Sequence, residues 1–294
     1  MEYNTQQIDE IVAHMESNAP NRKMGVEIEC LIMRDTFSDL KAYCEDRGVL
    51  LVREGYNHTT RQHWKMVTDA SLTGGTFGGQ SFVGVEFVSP PLEASKMAEQ
   101  LHVICNGLKA CCDARVNRSC GLHVHHDARK GYTWRRLRNL VYLYAKSEKA
   151  IDQLVPPSRR GQGCQWCNTV KSHLDQLVRD GSVTDNNSWR YKKLNLQSFI
   201  RQGTVEYRHQ GGSVDFTKIF WWLALTSAIH TRGKKVVKRT DGYDNPLINV
   251  VLQIGWASWA GKSITHTSEG AMHLLDYTNY RLRSFDFTPL PLAE

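Results

Sequence analysis

"MGVEIEC", Met24 to Cys30, reads as a buried strand except that it carries two carboxylates, Glu27 and Glu29. Successive side chains of a strand point to opposite faces, so residues two apart share a face. Val26, Ile28 and Cys30 then line one side, and Glu27 and Glu29 project together from the other. Two like charges side by side on an apolar strand admit two explanations, a solvated face or a bound cation.

The chain of 294 residues is long enough for one large domain or two small ones. Its composition is that of a soluble globular protein, with 41% apolar, 10% aromatic and 23% charged residues. The longest apolar stretches, such as "IFWWLALTSAI" at 219–229, are too short to span a bilayer. The N-terminal "MEYNTQQIDEIVAHMES" lacks the basic region and apolar core of a signal peptide, so a cytoplasmic location is expected. The eight cysteines have neither the density nor the spacing of a disulfide scaffold. "CQWC", Cys164 to Cys167, is a lone CxxC without the second pair a zinc knuckle needs, and is read as structural or incidental thiols. A net charge of +7 and a pI near 9.0 favour anionic partners without choosing among them.

Along the chain, Ile8, Ile11, Val12 and Met15 mark an amphipathic helix over 5–16. The "GVEIECLIM" strand follows, then a helix across 36–47 ending at Gly48. "HWKMVTDASL" (63–72) is a strand running into a turn, "TGGTFGGQ" (73–80) a glycine-rich loop, and "FVGVEFVSPPL" (82–92) a strand ended by two prolines. A periodic helix spans 95–112, "CGLHVHHD" (120–127) is a short strand, and 133–151 is a long helix. "PPSRRGQGCQWCN" (156–168) is a long basic loop of functional character. A helix is expected at about 169–179, and "RYKKLNLQSF" (190–199) with "GTVEYRHQGG" (203–212) reads as a strand pair. From Asp215 the chain is mostly helical, packing Phe220, Trp221 and Leu225. The expected fold class is α+β in one domain, a largely antiparallel sheet with helices on one side.

The peculiarity of Glu27 and Glu29 recurs in His123 and His125 of "GLHVH" and in Glu206 and Arg208 of "GTVEYR", while Glu86 adds one acid in "GVEFVSP". If these strands are neighbours, one face collects carboxylates, two imidazoles and a guanidinium, which is costly to bury unless the charges are paired or ligated. Carboxylates with imidazole suit Mg²⁺ or Mn²⁺. Taken singly, the acid pair reads as a solvated face and the Glu206/Arg208 pair as an ion pair within the sheet. Their joint occurrence in strand-like contexts favours a metal site. His126, on the opposite face with Val124, is a packed or surface histidine. Other chemistries lack their signatures: there is no Walker motif, dinucleotide fingerprint, HExxH or GxSxG. The "TGGTFGGQ" loop is better suited to a turn or a flap than to a phosphate cradle.

The order "GVEIE", "TDASL", "VEFVSPPL", "CGLHVHH", "PPSRR", "RYKKLNL" and "GTVEYRHQGG" resembles the amidoligase family. That family is grouped with the carboxylate–amine ligases related to glutamine synthetase and glutamate–cysteine ligase. The motif-bearing part runs from about 24 to 230, with a helical C-terminal extension over about 240–294, in a single catalytic domain over 1–294. The resemblance implies a curved, mainly antiparallel sheet, like the glutamine synthetase catalytic domain, with helices on its outer face. It further implies ATP and two or more Mg²⁺ or Mn²⁺ ions, and a reaction in which a carboxylate is phosphorylated and an amine then attacks the acyl phosphate. By the same resemblance Glu27, His123 and Glu206 hold the metal nearer the transferred phosphate, and Glu29 and Glu86 hold the other. His125 lies beside the substrate, and Arg208 binds the transferred phosphoryl group or a substrate carboxylate. Arg159, Arg160 and Arg190 are candidates for phosphate oxygens, since a guanidinium grips two at once. Asp69 is an extra metal ligand or orients the amine.

The implied partners are a carboxylate and an amine, as amino acid, peptide or protein terminus, with a homo-oligomer allowed and no membrane. Two other readings stand beside this one. One is a phosphotransferase using the same metal face. The other is a nucleic-acid-binding protein, suggested by the charge and by "YTWRRLRNLVYLY", although Trp134, Leu137 and Val141 fall at the spacing of a core helix with a basic outer face.

Overall fold

Alternation places Val26, Ile28 and Cys30 in the core and leaves Glu27 and Glu29 on the reverse face of strand β1 (Met24–Met33). In this computed structural model the described residues are 1–161, 164–172, 174, 177, 189–235, 246–260 and 263–293. Before β1 comes α1 (Thr5–Asn18), opened by a reciprocal cap in which Asn4 accepts from the Gln7 backbone N–H and the Gln7 side chain accepts from that of Asn4. After β1 follow α2 (Phe37–Glu45), β2 (Leu51–Arg53), β3 (Trp64–Thr68), β4 (Gly75–Phe77), β5 (Gln80–Val88) and α3 (Ala94–Cys112). Next are β6 (Gly121–Asp127), α4 (Trp134–Asp152), a 3₁₀ turn over Pro157–Arg159, β7 (Leu194–Asn195), α5 (Gln197–Gln202) and β8 (Thr204–Gly211). The remainder is α6 (Phe216–Gly233), α7 (Pro246–Gln253), a β9 (Ala257–Ala260)–β10 (Ser263–His266) hairpin and α8 (Glu269–Arg283).

The main sheet has the order β2-β3-β5-β1-β6-β8-β7, with β4 paired to β5. Every pairing is antiparallel except β2 with β3, so the fold is α+β with a mixed, mostly antiparallel sheet. Val26, Ile28, Val85, Phe87, Leu122, Val124, Val205 and Tyr207 join a core shared with α1, α3, α4, α6 and α8. A smaller cluster of Leu31, Leu72, Phe82 and Cys120 lies on the reverse face at the far end of β1. Helix α4 buries Leu137, Leu140, Val141 and Tyr144 and exposes Arg135, Arg136, Lys146 and Lys149, as its spacing predicts.

Three local expectations change. "TGGTFGGQ" is a hairpin rather than a loop, because Gly78 and Gly79, at φ +56° and +80°, take the left-handed conformations a tight two-residue turn needs. "RYKKLNLQSF" supplies only the two residues of β7. The Asn195 side chain then accepts from the Gln197 N–H at 2.8 Å and turns the chain into α5, which ends at Gly203 with φ +71°. The β9–β10 hairpin interrupts a segment expected to be helical. Of the helix expected at about 169–179 only residues 169–172, 174 and 177 are described, and the start of the C-terminal extension at 240–245 lies outside the described residues.

Candidate functional site

Strands β5, β1, β6 and β8 are consecutive in the sheet, and their registers line up the charged pairs. Glu29 sits opposite Glu86, Glu27 opposite His123, and His125 opposite Glu206. One face therefore carries Glu86, Glu27, Glu29, His123, His125, Glu206 and Arg208, the collection expected from the sequence. Between the pairs Val124–Tyr207 and Leu122–Gln210, the two residues Arg208 and His209 face the single His123. Alternation keeps Glu206 and Arg208 on the charged face and sends His209 to the back, and the bulge shifts the pairing beyond them.

The side chains form one connected cluster. His123 Nδ1 is 3.1 Å from Glu27 and 3.7 Å from Glu206, and its Nε2 is 3.6 Å from Glu29. His125 Nε2 lies 3.3 Å from Glu27, while its Nδ1 pairs with Thr204 Oγ1 at 3.0 Å. Glu206 is ion-paired with Arg208 and accepts from Asn195 Nδ2 at 2.6 Å. Glu29 accepts from the Gly121 N–H at 2.5 Å. Gly121 leaves room for these side chains, because a Cβ there would lie 2.8 Å from His123 Nε2 and 3.2 Å from Glu29 Oε2.

Four carboxylates share this face with one guanidinium. Burial pushes the Glu86 carboxyl well above its usual range, and the charges of Glu27, Glu29 and Asp69 add to it. Burial pushes Glu27 the same way, but His125 and His123 outweigh it and hold that carboxyl well below its ordinary value. Burial likewise opposes Glu206, which Arg208 and His125 hold low. Among the described residues, two sets of three side chains bring ligand atoms within 4.8 Å of one another: Glu27 with Glu86 and His123, and Glu27 with His125 and Glu206. Oxygen donors with one imidazole in each set fit a hard divalent cation. This grouping departs from the one the resemblance implies: Glu27 belongs to both sets, His125 joins a set, and Glu29 belongs to neither.

A cavity of about 470 Å³ opens over this face. Its lining takes in Arg159, Arg190 and Arg208 along with Asp69. Arg159 is 4% exposed, with its guanidinium tied to the Cys120 carbonyl at 2.6 Å, and Arg190 lies over the Tyr191 ring. The structure does not bring Arg160 to this cavity. Its guanidinium packs 4.6 Å from Phe285 and 5.2 Å from Phe287, and its Nε donates to the Val155 carbonyl. Asp69 caps its own turn by accepting from the Ser71 N–H at 2.7 Å. Several lining residues carried no signal of their own in the sequence, among them Asn195, Arg201, Trp166, Tyr191, Tyr56 and His58. Asn195 lies inside the quoted "RYKKLNL", but only the register of β7 against β8 shows that it meets Glu206.

Residues 20–230 match the family described as "Putative amidoligase enzyme". The chain belongs to the amidoligase family. Membership supports a ligase activity, and the matched region holds every residue of the charged face. A search of curated proteins found no match. Among the described residues, no helix of this amidoligase-family chain is long and apolar enough to cross a membrane.

Proposed function

We propose that the chain is an ATP-dependent carboxylate–amine ligase whose reaction passes through an acyl phosphate. The observation that carries this reading is the convergence of Glu27, Glu86, His123, His125, Glu206 and Arg208 on one sheet face beneath a cavity that Arg159 and Arg190 also line. In the first step a substrate carboxylate oxygen takes the γ-phosphoryl group and ADP leaves. In the second an amine attacks the acyl carbon, phosphate leaves with the carboxylate oxygen, and the amine gives up a proton as the amide forms. Phosphoryl transfer depends mainly on positioning and charge neutralisation, which suits fixed guanidinium groups and a divalent cation.

The residues divide accordingly. Glu27, Glu86 and His123, and Glu27, His125 and Glu206, would hold Mg²⁺ or Mn²⁺, which supplies electrostatic stabilisation of phosphate charge. Glu29, fixed by the Gly121 N–H, holds His123 from the side opposite Glu27. Arg208, already paired with Glu206, presents its charge beside His123 for a phosphoryl oxygen or a substrate carboxylate. Arg159 and Arg190 bind further phosphate oxygens. Asp69 orients the amine from the rim.

Thermal unfolding with ATP and Mg²⁺, with ATP and EDTA, and with Glu27→Gln tests the reading. A ligand at a hundredfold excess over its Kd stabilises the folded state by about 2.7 kcal/mol. The expected result is a rise that requires Mg²⁺ and disappears in Glu27→Gln, whose melting without ligand stays near wild type. Equal curves with and without Mg-ATP at millimolar concentration would overturn the nucleotide–metal assignment. Hydroxylamine, as surrogate amine, then traps the acyl phosphate as a hydroxamate in a screen of carboxylates.

A further inference from the structure

By their spacing alone Cys164 and Cys167 read as structural or incidental thiols, but the structure sets them at the two ends of a tight turn whose Trp166 lines the cavity. The Cys167 N–H donates to the Cys164 carbonyl at 3.2 Å, closing a tight turn, and the two thiols share a hydrogen bond. Arg159 lies close enough to act on both sulfurs. Trp166, between the two cysteines, lines the cavity, and its carbonyl accepts from Arg208 Nε at 3.3 Å. The turn is held from outside as well, since the Asn168 N–H donates to the Tyr191 carbonyl at 2.8 Å.

We propose that Cys164 and Cys167 are a redox-active dithiol, a modification site that small peroxides convert to an intramolecular disulfide. Cys164 is the attacking group. The hydrogen bond from Cys167 lowers its thiol pKa against the effect of burial, and Arg159 adds to the lowering, which favours the thiolate at this sulfur. The same hydrogen bond, together with burial, pushes Cys167 up and keeps its proton. Burial pushes the other thiols, Cys30, Cys44, Cys105, Cys111, Cys112 and Cys120, up as well. The site therefore pairs one nucleophile with one resolving thiol, while burial disfavours the thiolate at the other six cysteines.

The chemistry balances in two steps. The Cys164 thiolate attacks one oxygen of hydrogen peroxide, the O–O bond breaks, and sulfenic acid and hydroxide form. The Cys167 sulfur then attacks the sulfenic sulfur, the S–O bond breaks, and the departing hydroxide takes the Cys167 proton to leave as water. Two electrons pass from the thiol pair to peroxide. With Cys164 8% exposed and Cys167 fully buried, a small oxidant fits the site better than a bulky disulfide. Because the new bond would cross the turn that carries Trp166, the modification acts next to Arg208 and Arg159.

The test is peptide mapping of the intact chain after peroxide treatment and thiol blocking. Expected is a disulfide joining Cys164 to Cys167, seen as loss of both alkyl adducts from that peptide and reversed by dithiothreitol. Before oxidation, iodoacetamide at pH 6 should label Cys164 about ten times faster than any other cysteine. In Cys167→Ser, Cys164 should accumulate as a sulfenic acid trapped by dimedone. In Cys164→Ser, Cys167 should stay reduced. Peroxide that spares this pair while oxidising other cysteines would overturn the proposal, as would a Cys164 that labels no faster than the rest. Both of these outcomes are read on the wild-type chain, so they decide the matter even if a variant fails to fold.

Discussion

Gly121 shows how one missing atom shapes the site. Its N–H holds Glu29, and its bare Cα leaves room for His123, whose Nε2 would lie 2.8 Å from an added Cβ. Gly121→Ala should therefore displace the imidazole more than the strand. Titration calorimetry is expected to show about tenfold weaker Mg-ATP binding, with an unfolding free energy lower by only about 1 kcal/mol. A loss of stability without a loss of affinity would separate this glycine from the site. His209, on the back of the same sheet, makes a prediction of opposite character. The neutral ring with its proton on Nε2 donates to Asp152 at 2.6 Å and accepts from Tyr144 at 2.9 Å on Nδ1. Burial lowers its pKa to about 4 despite Asp152, with Lys193 helping and Glu148 opposing. The unfolded ring takes up a proton near 6.5, so between these values the unfolded chain binds more protons. This stability is fully present above pH 6.5 and is lost as the pH falls towards 4, by about 3 kcal/mol. Burial lowers His126 and His230 as well, and they act with the same sign. Urea unfolding from pH 7.5 to 4.5 should therefore show a slope that is reduced, not abolished, in His209→Gln.

At the scale of elements, β7, β8 and α4 meet around a buried lysine. Lys193 is fully buried, with Nζ 3.0 Å from Glu148 and 2.7 Å from Asp152. Its backbone binds the Asn168 carbonyl and the Arg208 N–H, so it joins the 164–168 turn to the bulged strand. Removing one partner of a buried pair leaves uncompensated charge and costs about 3–5 kcal/mol. Lys193→Met is expected to lose that much in denaturant unfolding, and a loss under about 1 kcal/mol would make the network dispensable. Elements also mark the limit of what the sequence makes legible. The charged face was legible because residues two apart on a strand share a side, a rule that holds whichever strands are neighbours. The order of those neighbours came only from the sheet. Arg159 and Arg160 look equivalent in "PPSRR", yet the 3₁₀ turn aims one at the cavity and the other at Phe285 and Phe287. Leu194 and Leu196 alternate like strand residues, and nothing in that alternation reports the side-chain turn at Asn195 that starts α5.

For the whole molecule, the question is whether the family-matched region stands without its flanks. Helix α8 lies against α1 so closely that a Cβ on Gly270 would fall 2.3 Å from the Glu10 carbonyl oxygen and 2.7 Å from His14 Cβ. His273 pairs with Glu10 at 2.6 Å, and Trp221 of α6 donates to Thr278 at 3.1 Å. Arg160, next to Arg159 in "PPSRR", rests on Phe285 and Phe287. The end of α8 and the segment after it therefore buttress the loop that leads to the cavity, and one cooperative unit is expected. Gly270→Ala must push α1 and α8 apart, at a cost of about 1–3 kcal/mol. Circular dichroism and tryptophan fluorescence should then report one coincident transition at lower temperature, and Mg-ATP should raise it as it raises wild type. Two separated transitions, with nucleotide shifting only one, would mean that the flanking helices fold apart from the site, and the support for Arg159 would have to come from the sheet alone.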